Sequence, residues 1–421
     1  MTQPVMSVRR TTLIASVMVA LGPTSMALYT PAMPQLVDAF STTPAVVKTT
    51  LTAYFAGFAF SQLVAGPVAD AFGRRLSTIV FIAIYIAGSL AAALAPTVGI
   101  LMAARLVQGI GAAVGVTVAR AIVRDLYPGD RGARIMNLVG IILAIAPAMS
   151  PAIGGITVGL AGWHAVFVLM VLFGLAIGAT AVFALRETIT PDPSMLRPAK
   201  IARAYVTLLG NLEFLSASVV IACGLGVFYA LATMLPFVLI DTVGLTPTQF
   251  GFAMLFQSGT FLAGSVAFRL LMRWLTPRQA ILPGLGFMLA GSIGLATAPH
   301  LLGASLLTIM LPVAFHSFGA ALMMPYMMLA GMRPFPKIAG QASAMTGFMQ
   351  IGSGLVGGMI GAWIGAPVLS VTTVIPVMAL IAVSAYFVYC RAAAKAALEE
   401  AAADQAALAD GPAPVAPAPA E

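Results

Sequence analysis

Arg105 sits in the middle of a strongly apolar stretch that runs from residue 98 to residue 122. If that stretch crosses a bilayer as a helix, a rise of ~1.5 Å per residue puts the guanidinium roughly 13 Å below the surface, near the midplane. Holding a charge there costs at least ~2.5 kcal/mol, and residues kept at such a cost face the interior of a helix bundle and mark the path of an ion or solute. Gln108 stands one turn further on the same face, and Gly109, Ala112 and Ala113 are small enough to admit a neighbouring helix. The plainer alternative is an interhelical hydrogen bond with a purely structural role.

Other residues could act with it. Thr50, Tyr54, Phe58 and Gln62 recur every four residues, a polar and aromatic stripe that suits the wall of a wet cavity better than a lipid face, plain helix packing being the alternative. Phe228, Tyr229, Gln257, His316, Tyr326 and Gln350 are similarly placed in the second half of the chain. Met323, Met324, Met327 and Met328 beside them can adapt to varied ligands. His316 could titrate, and with Arg105 and Glu213 it is a candidate for proton coupling, although a lone buried histidine is more often a packing residue. Gly66 to Arg75 includes Asp70, Gly73, Arg74 and Arg75, charges of both signs at a helix end. It reads either as a topology anchor or as a latch that pairs with Arg124 and Asp125 in one of two states. Pro147, Pro151, Gly154 and Gly155 should bend or loosen one helix.

Several chemistries are excluded. His164, His300 and His316 are too scattered for a metal site, no catalytic residues or paired carboxylates cluster as an enzyme needs, and no cofactor is implied. No lysine follows a glycine, so the phosphate-binding loop of an ATP-driven engine cannot occur. Energy must come from a gradient or from an absent partner.

The elements that position these residues are membrane helices. With 60% hydrophobic and 8% charged residues in 421, the chain departs from soluble proteins, whose charged share is about a quarter. Apolar runs of the ~20 residues that a bilayer core requires recur to residue 390, too long for barrel strands. The expected architecture is all-α, with spans at 11–34, 46–67, 77–95, 98–122, 135–158, 163–185, 212–239, 248–270, 280–298, 302–328, 338–364 and 367–390. If both termini are cytoplasmic, every Lys and Arg except Lys48 and Arg105 falls on the cytoplasmic side, as the positive-inside rule requires. The net charge of +8 is therefore a topology signal, and no basic stripe interleaved with aromatics points to nucleic acid.

The expected organisation is a six-helix half at 1–185, a Pro-punctuated cytoplasmic linker at 186–211, a second half at 212–390 and a disordered Ala/Pro-rich tail at 391–421, its Ala-rich start a possible helix. Gly66, Val68, Ala69 and Arg75 recur as Gly264, Val266, Ala267 and Arg273, a faint repeat at the same topological place. Cys223 and Cys390 lie in apolar runs and imply no disulfide. Arg9 and Arg10 imitate the start of a signal peptide, but the run behind them is too long for a cleaved one.

These motifs resemble the major facilitator superfamily, in particular the twelve-helix drug:proton antiporters of the bicyclomycin and chloramphenicol resistance (Bcr/CflA) subfamily. The resemblance runs from about Ser25 to Tyr389. It rests on Tyr29, Pro31 and Pro34; Gly66 to Arg75; Arg105 to Ala113; Arg120 to Tyr127; and Ala146-Pro147 with Pro151 to Gly155. Gly162 to His164, Pro236-Phe237 and Ala339 to Ala344 also match. It implies two pseudo-symmetric six-helix halves in a bacterial inner membrane, a monomer, and proton-driven export of small amphipathic molecules with Arg105 tied to the proton. Tyr29 joins the expected cavity. One departure is Ala27, where relatives carry an aspartate. Without that carboxylate Arg105 dominates the field of the N-terminal half, which favours neutral or weakly acidic substrates. The alternative function is a facilitator or importer of a sugar, amino acid or organic acid.

Overall fold

The computed structural model describes residues 5–127, 130–335 and 338–409. Lys337 and the Ala-Pro repeats after Gly411 lie outside them. Among the described residues every regular element is helical, and eleven stretches are long and apolar enough to cross a membrane. One of the eleven, Arg134–Ala184, is 51 residues long. At ~1.5 Å per residue that is about 75 Å, more than twice a bilayer core, so it must turn back. It does so at Gly162, whose φ of 74° is open to glycine and strained for other residues. The fifth and sixth spans meet there, which makes twelve.

The first span, Val8–Ala39, passes through a 3-10 turn at Thr30–Ala32, where Pro31 breaks the α-helical pattern. The second is Pro44–Phe72, the third Arg74–Ala93, and the fourth Val98–Leu126, interrupted at Ala113. The second half comprises Leu212–Thr242, Pro247–Leu271, Ile281–Leu302, Leu306–Met332, Ala339–Ile364 and a last helix from Pro367 that continues to Ala409. The helix ends are written in the sequence. Thr43 caps the second helix with Pro44 in its first turn, and Thr246 with Pro247 does the same for the eighth. Thr97 and Ser305 cap the fourth and tenth.

Each half has its own core. One cluster of buried apolar side chains runs from Met6 to Leu185 and takes in Phe237 and Ile351 from the other half, and a second runs from Ala217 to Tyr389. Helix packing repeats between them: the first packs on the fifth as the seventh does on the eleventh, and the second on the fourth as the eighth does on the tenth. The halves join along two equivalent crossings, second on eleventh and fifth on eighth. Around the outside, Leu160, Phe183, Leu301 and Trp363 are more than three-quarters exposed, an apolar surface that only lipid tolerates.

The segment between the halves is more ordered than a linker need be. After a 3-10 turn at Pro193–Leu196 it forms the helix Pro198–Leu209. Leu208 of that helix is buried with Phe214, Ala342 and Met345. Tyr205 donates to the carbonyl of Leu63 at 2.7 Å, and burial pushes its phenol up to about 12, so it remains a protonated donor throughout the physiological range.

Candidate functional site

At the end marked by Asp70, Arg74 and Arg124, the two halves part to leave a cavity of about 530 Å³. That is the size of a pocket for a drug-sized molecule. Phe58 and Gln62 of the second helix line it with Arg120 of the fourth, Tyr229 of the seventh, Met324 and Met328 of the tenth, and Gln350 of the eleventh. The opposite end is closed. There Lys48 is fully buried, its Nζ donating to the carbonyl of Gly361 at 3.3 Å and lying 5.2 Å from the Phe237 ring centroid, so a cation of one half is held by the other. At the fifth–eighth crossing the backbones of Gly155 and Pro247 come so close that a Cβ on Gly155 would collide with the Pro247 carbonyl. Thr248 donates to the carbonyl of Gly155 at 3.2 Å.

Arg105 is fully buried behind the cavity wall. Its guanidinium carbon stands 4.4 Å from the Tyr29 ring centroid and 4.3 Å from that of Tyr54. Both faces of the π-systems favour a cation, which offsets part of its desolvation. Nη1 donates to Gln108 Oε1, and Gln108 Nε2 donates to Ser89 Oγ at 2.7 Å. Nε and Nη2 have no hydrogen-bond partner among the described residues. The tyrosines are pinned in turn: the Tyr29 hydroxyl meets Thr50 Oγ1 at 2.5 Å, and Tyr54 donates to the Gly22 carbonyl at 2.8 Å. The Phe58 ring packs 6.0 Å from Tyr54 and forms the partition between Arg105 and the cavity.

The stripe read on the second helix is thus divided. Thr50 and Tyr54 belong to the sealed cluster, and Phe58 and Gln62 to the cavity wall. Of the second-half residues, Tyr229 and Gln350 face the cavity, whereas Phe228, Gln257, His316 and Tyr326 do not line it. Phe228 packs edge-on against Phe261 at 5.5 Å. His316 is buried between Ser292 Oγ and the carbonyl of Gly224, both at 3.2 Å, the geometry of a hydrogen-bonded packing residue. The Tyr326 hydroxyl lies 3.4 Å from that of Tyr389. Glu213 is in the first turn of the seventh helix and does not line the cavity.

The charged loop is an ion-pair cluster within the N-terminal half. Arg74 is 2.5 Å from Asp70 and 3.0 Å from Asp125, and Arg124 lies 3.7 Å from Asp125. Gly73, at φ 93°, lets Glu187 cap the next helix by accepting from the backbone amides of Arg74 at 2.8 Å and Arg75 at 3.1 Å. A side chain at Gly73 would meet the Glu187 carboxylate. Gly66 and Asp70 line the cavity. In the fifth helix, helical dihedrals continue through Pro147 and Pro151, and Gly154 lies against Leu28 and Pro31. Arg120 reads in the sequence only as a topology anchor and lines the cavity in the structure. Its signal was the run Thr117, Arg120, Arg124, which places three polar residues on one helix face.

Among the described residues no cluster of three His, Cys, Asp or Glu could hold a metal. The sequence matches the Major Facilitator Superfamily profile over residues 15–362. It is 28% identical over 377 residues to an uncharacterized MFS-type transporter, YdgK, of Bacillus subtilis, covering 87% of this chain and 90% of that one. It is 27% identical over 353 residues to multidrug resistance protein D of Escherichia coli, covering 82% and 86%. Among solved structures, a D-xylose-proton symporter superposes with a TM-score of 0.69 at 14% identity over 91% of this chain and 97% of the other. A bacterial homolog of the human lysosomal transporter Spinster, inward-facing and unoccupied, gives 0.65 at 16% over 91% and 96%. With its twelve membrane helices in two six-helix halves around a central cavity, this chain belongs to the Major Facilitator Superfamily of transporters.

Proposed function

We propose that this protein exports small amphipathic molecules, neutral or weakly acidic, from the bacterial cytoplasm across the inner membrane, driven by protons through alternating access. The observation that carries the reading is the cavity between the halves, lined by Phe58, Tyr229, Met324 and Met328 and open at one end only. Aromatic and methionine walls bind by shape and polarizability and tolerate varied ligands. Arg105 stands one aromatic layer behind with two open donors, a fixed charge that a proton or an anion entering the partition would meet. Relatives named as multidrug resistance proteins at 26–27% identity favour drug-like cargo. The match of the fifth-helix Pro147, Pro151 and Gly154-Gly155 pattern to exporters supports the direction, and assignment to the bicyclomycin and chloramphenicol resistance subfamily rests on the same motifs. In this reading the cavity end carries the basic residues and faces the cytoplasm, both termini lie there, and the protein works as a monomer.

The test is expression in an efflux-deficient host challenged with a panel of antibiotics. Lower cellular accumulation of neutral compounds such as amphenicols, restored by a protonophore, is the expected result. Raised accumulation of a labelled sugar, amino acid or organic acid would make the protein an importer instead.

A further inference from the structure

The electrostatics of the cavity are set by a residue other than Arg105, which is walled off from it. Three arginines line the space, Arg74, Arg120 and Arg124, together with Asp70. Arg74 is neutralised by Asp70 at 2.5 Å and Asp125 at 3.0 Å, and Arg124 has Asp125 at 3.7 Å. Arg120 differs. Its Nη1 donates to Ser343 Oγ of the other half at 2.9 Å, and among the described residues no carboxylate lies within ion-pair distance of it. The cavity therefore carries one uncompensated guanidinium. Gln62, which lines the same cavity, is 8% exposed, and its Oε1 is buried without a hydrogen-bond partner among the described residues. That oxygen is packed against Gly347 of the eleventh helix, and because Gln62 itself lines the cavity, a turn of its amide would bring the unsatisfied group to a ligand. Phe58, Met324 and Met328 supply the apolar remainder.

We infer that this cavity is a binding site for amphipathic organic monoanions, with a carboxylate seated on Arg120, a polar group at Gln62 and the apolar body against Phe58 and the two methionines. The inference rests on the export reading for its direction alone. A carboxylic acid with an ordinary pKa near 4 is almost wholly ionised at cytoplasmic pH, so the anion is the form that a cytoplasm-facing cavity meets. The guanidinium fork matches a carboxylate with two parallel hydrogen bonds, and a partly desolvated site makes them stronger than in water.

Two probes sharing one apolar body separate charge from hydrophobicity: 4-(1-pyrenyl)butyrate and 4-(1-pyrenyl)butanol, titrated against the purified full-length protein in lipid nanodiscs and read by fluorescence. The carboxylate should bind at least ~10-fold more tightly than the alcohol, the range expected of a charge-assisted hydrogen bond. Arg120→Gln should erase that preference while changing alcohol affinity less than ~2-fold, and Arg120→Lys should keep part of it. Ser343→Asp leaves the arginine in place but supplies an internal carboxylate, and it too should erase the preference. That variant decides the matter if Arg120→Gln does not fold. Equal binding of the two probes by the wild type, binding of neither, or an undiminished preference in Ser343→Asp overturns the inference. Proton-driven transport is scored separately in vesicles. Its absence contradicts the export reading, while the probe titrations still decide the assignment of Arg120.

Discussion

At the scale of the residue, the buried guanidinium of Arg105 is held by π-faces and one amide, with no carboxylate paired to it among the described residues. Replacing it with alanine should abolish gradient-driven transport while leaving the amount of inserted protein nearly unchanged. If transport falls only in proportion to protein amount, the arginine is a packing residue. The same guanidinium bars cations from the partition in front of it, as Arg120 disfavours them in the cavity itself. A cation at ~4 Å from a guanidinium is disfavoured by about 4 kcal/mol at an effective dielectric near 20, enough to exclude it from the partition. Ethidium should therefore be expelled at least ~10-fold less well than a neutral antibiotic, and Ala27→Asp should raise cation efflux. Protonophore-sensitive ethidium export equal to that of a neutral drug would contradict this account. Arg105 stands out in the sequence because a charge inside an apolar run is costly to keep and calls for a reason. Arg120 is ambiguous there, because an arginine at a helix's cytoplasmic end satisfies the positive-inside rule whether or not it faces a cavity, and only the run Thr117, Arg120, Arg124 hints at a shared face. Lys48 was equally opaque: it read as an outer-loop cation, yet contacts across the halves bury it completely.

Among the elements, the junction of the second and third helices shows how a weak interaction can matter. Asp70 is 39% exposed at its side chain, and an ion pair so placed contributes at most ~1 kcal/mol to stability. In a transporter whose two states are nearly balanced, ~1 kcal/mol changes their ratio about fivefold. Asp70→Asn should thus leave thermal stability within a degree or two while reducing transport about fivefold or more. Unchanged transport would reduce the loop to an anchor. The membrane helices themselves were legible from apolar runs of bilayer length, although the last continues to Ala409, well past the expected end at residue 390. What escaped was tertiary. The helix Pro198–Leu209 lies in a segment whose prolines read as linker, because its role depends on Leu63 and Met345, far away in sequence. Likewise, the division of the Thr50, Tyr54, Phe58, Gln62 stripe follows from which end of the molecule is closed, a property of the conformational state that periodicity does not encode.

For the whole molecule, orientation and direction remain to be joined. With Cys223 and Cys390 replaced, a membrane-impermeant thiol reagent applied to intact cells should label Thr242→Cys and not Pro193→Cys. The reverse pattern would invert the positive-inside assignment and place the open cavity outside. The two-half architecture was visible in the charge pattern and in the repeat around Gly66 and Gly264. Of the cavity, Phe58, Gln62, Tyr229 and Gln350 could be named from the sequence but not its extent, because its walls come from helices of both halves and its volume depends on how far they part. The central claim is that this cavity serves proton-driven export, and everted membrane vesicles measure it most directly. When respiration acidifies their interior, labelled chloramphenicol should accumulate inside vesicles that contain the protein and leak out when a protonophore collapses the gradient. Accumulation that persists without the gradient, or movement only in the opposite direction, would contradict the account.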